Sequence, residues 1–356
     1  MDPTSLETLP GKAVVDSLVL NAHPACDGRQ CFVQHPCPPK QGSLPGSPLT
    51  DQACFSLLHA TTGDLQTELV SRATLPYKKL IQHSHSPCIT PRFVVAKLDA
   101  FAARDPLNSN RGMLHELHQG EDSLWLVLER STNQSTVLSS GSVRFVNNHF
   151  WNCYEDAGTG DVVVETVATT SDYLDTYFEH NLQADTQWAK RFQQPLRCRV
   201  PTGSNQTSVA CAPLSASFNA SLPFDYPTFN PHFKMRPDYR YFYAITPVTA
   251  QSKWFNKIVK VDVSEGGGTV VAAWSRPGSY VTEADFVPRT ESKSAAQEDD
   301  GVLLSVLYNE PADQSSLGVF DAASLTLLDE YSLGGVVPFH AHGIVCPMNG
   351  RCFTNP

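Results

Sequence analysis

The feature that most constrains this chain is a repeated strand–turn–strand grammar. Gly301–Tyr308 reads as a buried strand through Val302, Leu303, Leu304, Val306 and Leu307. Leu317–Phe320 follows, then a turn at Asp321-Ala322-Ala323-Ser324, then a third strand over Leu325–Leu333. An aspartate opening such a turn bonds the backbone ahead of it, which explains its place there. Lys257–Val263 repeats the pattern, turning through Ser264-Glu265-Gly266-Gly267-Gly268 and returning over Thr269–Trp274. Asp2-Pro3-Thr4-Ser5, followed by Leu6–Leu9, reads as a further copy without its incoming strand. Strands are also predicted at Phe93–Leu98, Leu124–Glu129 and Asp161–Ala168. Serial antiparallel hairpins of this kind predict an all-β fold, a propeller first and a sandwich second.

The rest of the sequence fits short elements and many turns. Gly and Pro together number 47 (21 and 26), and only 17% of residues are charged. The chain is 41% hydrophobic, enough to bury a core. Helical patterning is confined to Gly112–His118 and Ser171–Leu182, so few helices are expected, over one face. The Pro-, Gly- and Ser-rich stretch 35–51 reads as an inserted surface loop on a single domain over 1–356, and 201–220 is also loop-like.

With a net charge of −10 and no basic stripe, a nucleic-acid partner is not expected. No apolar run reaches the roughly 18–20 residues of a membrane span. Met1–Leu20 lacks the pattern of a signal peptide, so a cytoplasmic location is expected, with plastid and membrane-surface locations left open. Ten cysteines show no regular frame and no Cys-x2-Cys pair. That favours mostly buried free thiols in a reducing interior over a zinc site. The sequons at Asn133, Asn205 and Asn219 carry little weight without a secretory signal.

The twelve histidines are the chemical signal. His83 and His85 form one His-x-His pair, and His340 and His342 form another. Residues two apart on a strand share a face, so each pair offers two rings to one place, although solvated edge histidines show the same spacing. His23 is stiffened by Pro24, and His149 opens the aromatic run His149-Phe150-Trp151-Asn152. His115 and His118 read as a wet face, and His35, His59, His180 and His232 have no supporting context. There is no Gly-x-Gly-x-x-Gly for a dinucleotide and no Gly-x-Ser-x-Gly for a nucleophile.

Four segments, in order, resemble the metal-binding stretches of the carotenoid cleavage oxygenase family. Ala22-His23-Pro24, with Asp27-Gly28 after it, is similar to the first. His85-Ser86-Pro87-Cys88-Ile89-Thr90, leading into Phe93-Val94-Val95, is similar to the second, and its register selects His85 over His83. His149-Phe150-Trp151-Asn152-Cys153-Tyr154-Glu155 resembles the third. Pro338-Phe339-His340-Ala341-His342-Gly343 resembles the fourth and selects His342. The ligands would be spaced by 62, 64 and 193 residues (85 − 23, 149 − 85, 342 − 149). Ser279–Arg289 resembles a segment that supplies a supporting glutamate, here Glu283, and Phe224–Pro231 one in which Asp225 replaces the usual glutamate. The likeness is strongest to the animal β-carotene oxygenase and retinoid isomerohydrolase branch.

The resemblance implies a seven-bladed propeller missing its N-terminal third, together with a third supporting glutamate that would fall ahead of Asp2. It implies one iron(II), Fe2+, held by His23, His85, His149 and His342. Glu283 would orient His342 and Asp225 would orient His149, leaving His85 without its carboxylate. The implied reaction is dioxygenase cleavage of a conjugated C=C bond in a carotenoid or apocarotenoid, with O2, to two carbonyl products. A non-catalytic truncated member and a retinyl ester isomerohydrolase are the alternatives. The implied partners are an apolar polyene and O2, with peripheral membrane contact possible and no obligate protein partner. Phe150, Trp151, Phe224, Tyr226 and Phe229 are candidates for an apolar tunnel or for ordinary core.

Overall fold

The computed structural model describes residues 23–27, 29–37, 52–61, 64–76, 81–101, 123–141, 145–169, 195–203, 206–214, 224–249, 251–264, 268–289, 297–338 and 342–343. Their strands form five sheets, four of them antiparallel throughout. The first is β1 (Ala25–Cys26), β2 (Cys31–Pro36), β3 (Gln52–Thr61) and β4 (Asp64–Thr74), in that order. The second has β5 (Ile81–His83), β7 (Phe93–Phe101), β8 (Leu124–Glu129) and β9 (Gln134–Ser139) side by side, with β6 (Cys88–Ile89) also on β7. The third is β10 (Val146–Glu155), β11 (Val162–Thr169), β12 (Leu196–Val200) and β13 (Ala210–Pro213). The fourth and fifth are β14 (Asp225–Thr228), β15 (Tyr241–Thr246), β16 (Lys257–Asp262), β17 (Thr269–Ser275), and β18 (Ser279–Pro288), β19 (Gly301–Asn309), β20 (Gln314–Asp321), β21 (Leu327–Ser332).

The residues fall into two compact units. One draws on Met1–Asn147, Cys153–Val164 and Cys198–Cys211, the other on Asn148–Asn152, Glu165–Arg197 and Ala212–Pro356. In the second unit each sheet runs from a buried first strand to an exposed last one. β14 is buried throughout, whereas β17 is mostly exposed; β18 is largely buried and β21 almost wholly exposed. β19 alternates buried and half-buried residues, as a strand with one face on the core should. Gly301 is required where β18 meets β19, because a Cβ there would lie 2.6 Å from the Phe286 ring and the Val287 carbonyl.

Turn chemistry closes the hairpins as expected. Ser324 N–H donates to Asp321 Oδ1 at 2.8 Å, and Gly158 and Thr159 both donate to Asp156 Oδ1 at 2.9 Å. A 3-10 turn spans Pro231–Phe233. The helical candidates at 112–118 and 171–182, and the hairpin copy at 2–9, lie outside the described residues.

Three expectations need correction. The loop predicted from residue 35 begins later, because His35 and Pro36 continue β2 opposite Cys54 and Ala53, and buried His35 bonds Ser56 Oγ at 2.8 Å. Its remainder, 38–51, lies outside the described residues. Within 201–220, Ala210–Pro213 is a strand rather than loop. The cysteines are not mostly free thiols: Cys26–Cys31, Cys37–Cys54 and Cys198–Cys211 are disulfides. The β1–β2 register sets Cys26 directly opposite Cys31, with Cα atoms 4.1 Å apart. Cys88 and Cys153 remain buried thiols. Such pairing fits an oxidising environment better than a reducing one.

Candidate metal centre

The motif residues lie on or beside strands of several sheets. His23 precedes β1, His85 lies between β5 and β6, and His149 is on β10. Asp225 opens β14, Glu283 lies in β18, and His342 follows β21.

In the first unit the structure brings His23 and His85 together. Their ring centroids are 5.3 Å apart, and His23 N–H donates to the His85 carbonyl at 3.3 Å. The His85 segment is tied down at Thr90, whose hydroxyl donates to Glu155 Oε1 at 2.8 Å and accepts from Phe93 N–H at 3.0 Å. Arg92 reaches the other Glu155 oxygen at 2.6 Å. Burial opposes ionisation of Glu155, but the hydrogen bonds from Arg92 and Thr90 win and hold its carboxyl below the usual range. The threonine and the glutamate of the two histidine motifs are thus each other's partners. His83 lies in β5, its backbone opposite Asp99.

In the second unit the structure brings His149, His342, Asp225 and Glu283 together. His149 Nδ1 lies 2.7 Å from Asp225 Oδ1, with Asp225 fully buried and His149 4% exposed. His342 Nδ1 lies 3.3 Å from Glu283 Oε2, which also accepts Gly343 N–H at 2.9 Å. Asp225 additionally accepts the N–H of Tyr226, a residue held at φ 51°, at 2.8 Å. Asn152 clamps the backbone after the 3-10 turn, accepting Met235 N–H at 3.1 Å and donating to the Arg236 carbonyl at 3.2 Å. His340 lies outside the described residues.

These contacts decide the ring chemistry. A carboxylate only accepts, so each Nδ1 is the donor and each neutral ring presents a lone pair at Nε2. The two Nε2 atoms face each other at 3.4 Å. Two lone pairs at that separation repel, and a cation between them converts the repulsion into attraction. The donor set therefore fits a divalent metal of the kind imidazole binds, with a carboxylate behind each ring as metal-binding histidines usually have.

Sequence reasoning named Tyr226 as a tunnel or core candidate and missed Asp285. Tyr226 lies against both rings, at 5.2 Å from His149 and 5.6 Å from His342. Its left-handed backbone, which turns it there, has no signature in the sequence. Asp285, two residues beyond Glu283, has its carboxyl raised to about 7 by burial and then by the charge of Glu283. Trp151 and Phe229 are core residues: Trp151 stacks on Phe242 at 4.8 Å and donates to Tyr239 Oη at 2.9 Å, and Phe229 packs on Tyr239. Tyr239 in turn bonds buried Glu165, which also accepts Arg197 Nε at 2.9 Å. Thr166, next to Glu165, donates to the His149 carbonyl at 3.1 Å.

The chain is similar to known proteins in sequence and in fold. The zeaxanthin 7,8(7',8')-cleavage dioxygenase of Crocus sativus, a chromoplastic enzyme, is 39% identical over 92 residues, 24% of this chain and 25% of that protein. The chloroplastic 9-cis-epoxycarotenoid dioxygenase NCED1 of Oryza sativa subsp. japonica is 28% identical over 202 residues, 55% of this chain and 28% of that protein. The fold matches cobalt-substituted Synechocystis apocarotenoid oxygenase with a TM-score of 0.67 at 19% identity, covering 90% of this chain and 64% of that one. The chain thus spans about a quarter of the curated relatives and under two thirds of the solved one. The fold is the all-β, propeller-type fold of these oxygenases. The family described as retinal pigment epithelial membrane protein matches residues 1–346, and the chain therefore belongs to the RPE65/carotenoid oxygenase family.

Proposed function

We propose that this chain is an iron(II) dioxygenase that cleaves a conjugated C=C bond of a carotenoid or apocarotenoid. The observation that carries the reading is that His149 and His342 turn their Nε2 atoms on each other at 3.4 Å, each ring with a carboxylate at its Nδ1. Iron, when bound, would supply the site for dioxygen. The donor set by itself suits several divalent metals, so the choice of iron rests on the family.

The chain's own groups do the positioning. Asp225 and Glu283 accept hydrogen bonds from Nδ1–H of His149 and His342 and turn both Nε2 lone pairs toward each other. Burial of His149, Asp225 and Glu283 keeps water from competing for those protons. Tyr226, backed by Phe255 at 6.1 Å, gives the two rings an apolar neighbour suited to a polyene. No charged group in this arrangement is called for by a hydrocarbon substrate, and none is used to bind it. Among the described residues no helix is long and apolar enough to cross a membrane. Access to a lipid-soluble substrate would be peripheral, and a plastid location is part of the proposal because similar proteins are chromoplastic and chloroplastic.

The test is metal analysis followed by product analysis under 18O2. About one iron per chain, lost in His149→Ala, with two labelled carbonyl products from a carotenoid or apocarotenoid, is the expected result. An unlabelled retinol from a retinyl ester would instead make the chain an isomerohydrolase. No metal in folded protein would overturn both.

A further inference from the structure

We propose that the Cys26–Cys31 disulfide is a positioning element for His23, so that metal affinity depends on the oxidation state of this one bond. The inference rests on the four-histidine reading and concerns only the first unit. His23 stands just ahead of a short strand. Its chain continues through Pro24 into β1, a strand of two residues whose only ladder partners are Ala25↔Phe32 and Cys26↔Cys31. Two ladder pairs are too few to hold a strand by themselves.

What fixes the hairpin lies at its turn. The disulfide closes the last ladder pair, three residues after His23 (26 − 23). Asp27 accepts Arg29 N–H and Gln30 N–H, both at 2.9 Å, across the turn. Arg130, from the end of the β8 hairpin, donates to Asp27 and to Gln30 Oε1, pinning the turn to the second sheet. With the covalent link in place, His23 is held from one side by this hairpin and from the other by its bond to the His85 carbonyl. Without it, the two-residue strand can fray and His23 loses its fixed approach to His85.

The other two disulfides have a different place. Cys37–Cys54 closes the far end of the β2–β3 pairing, and Cys198–Cys211 joins β12 to β13. Each includes a fully buried sulfur, at Cys54 and at Cys198, whereas Cys26 and Cys31 are both half-buried. A dithiol reductant therefore meets Cys26–Cys31 first. In that step the S–S bond breaks, each sulfur gains one proton and one electron, and the reductant closes to its own disulfide.

The experiment uses the full chain and Co(II), followed by its visible absorption. A non-reducing peptide map of the native protein should show Cys26 linked to Cys31. The double variant C26S/C31S should bind Co(II) about tenfold more weakly, the low end of effects seen when a ligand's support is removed. C198S/C211S should bind like the native protein while melting at a lower temperature. Should C26S/C31S not fold, native protein reduced mildly, alkylated and freed of reductant takes its place, with the map identifying the alkylated sulfurs. Absence of the Cys26–Cys31 link, equal Co(II) affinity in C26S/C31S, or an equal loss in C198S/C211S each overturns the inference while leaving the metal reading intact. Native, disulfide-linked protein that binds no Co(II) overturns the metal reading and this inference with it.

Discussion

The two histidine pairs are held by different physics. His149 and His342 each have a carboxylate on Nδ1, and the strand carrying His149 is braced by a buried polar network around Glu165. His23 and His85 share a backbone hydrogen bond, and their flanks are tied by a disulfide, by Asp27–Arg130 and by Thr90–Glu155. The first mode fixes a ring's tautomer and direction. The second fixes where the backbone passes. The two units should respond to damage differently, with charge changes felt in the second and backbone changes in the first.

The largest effect should come from breaking the brace in the second unit. Glu165→Ala leaves the Arg197 guanidinium and Tyr239 hydroxyl without their buried acceptor, and about 3–5 kcal/mol of stability should be lost in chemical denaturation. The carboxyl of Glu165 is raised by full burial, so Glu165→Gln should cost clearly less than Glu165→Ala. Next, Asp225→Ala orphans the buried Nδ1–H of His149 and should weaken metal binding by about 10- to 100-fold, read by metal titration. An unchanged affinity would erase the distinction between the pairs.

A pH dependence should belong to the second unit as well. Asp285 is raised to about 7, above its unfolded value near 3.8, so between those values the folded chain holds a proton that the unfolded chain has lost. Its contribution is fully present below about pH 4 and is lost as pH rises through 7, by about 2 kcal/mol after allowance for its partial exposure. In metal-free protein, Asp285→Asn should flatten that decline in thermal melts, and an unchanged profile would assign the pH response elsewhere. The smallest effect is expected at the first pair. Arg130→Ala removes the anchor of the β1–β2 turn and should cost about 1 kcal/mol. A loss as large as that of Glu165→Ala would mean that the hairpin, too, rests on its charges.

Legibility in the sequence followed the range of the forces. Strands β16, β17 and β19 to β21 could be read because alternation and Asx turns are local, and β8 was predicted with its observed bounds. The contacts of Asp225 with His149 and of Glu283 with His342 follow the motif segments, although 76 and 59 residues separate the partners. Their service as ligand supports is a proposal. The disulfides could not be read, because ten unframed cysteines acquire partners only when strand register sets Cys26 opposite Cys31. Glu165 stands inside the strand predicted over Asp161–Ala168, and the sequence reading did not single it out. Its partner Tyr239 lies 74 residues away, and nothing local announces it.

The consecutive strand order has a kinetic consequence. In the β18–β21 sheet every ladder joins neighbours in the chain, the β19–β20 pairs running unbroken from Val302↔Asp321 to Asn309↔Gln314. Each pairing closes only a short loop, so little chain entropy is lost before contacts form. This sheet can zip hairpin by hairpin as one foldon, ahead of arrangements that must await distant partners such as Glu165 and Tyr239. In pulse-labelled hydrogen exchange its amides should be protected early, with the histidine supports completed late.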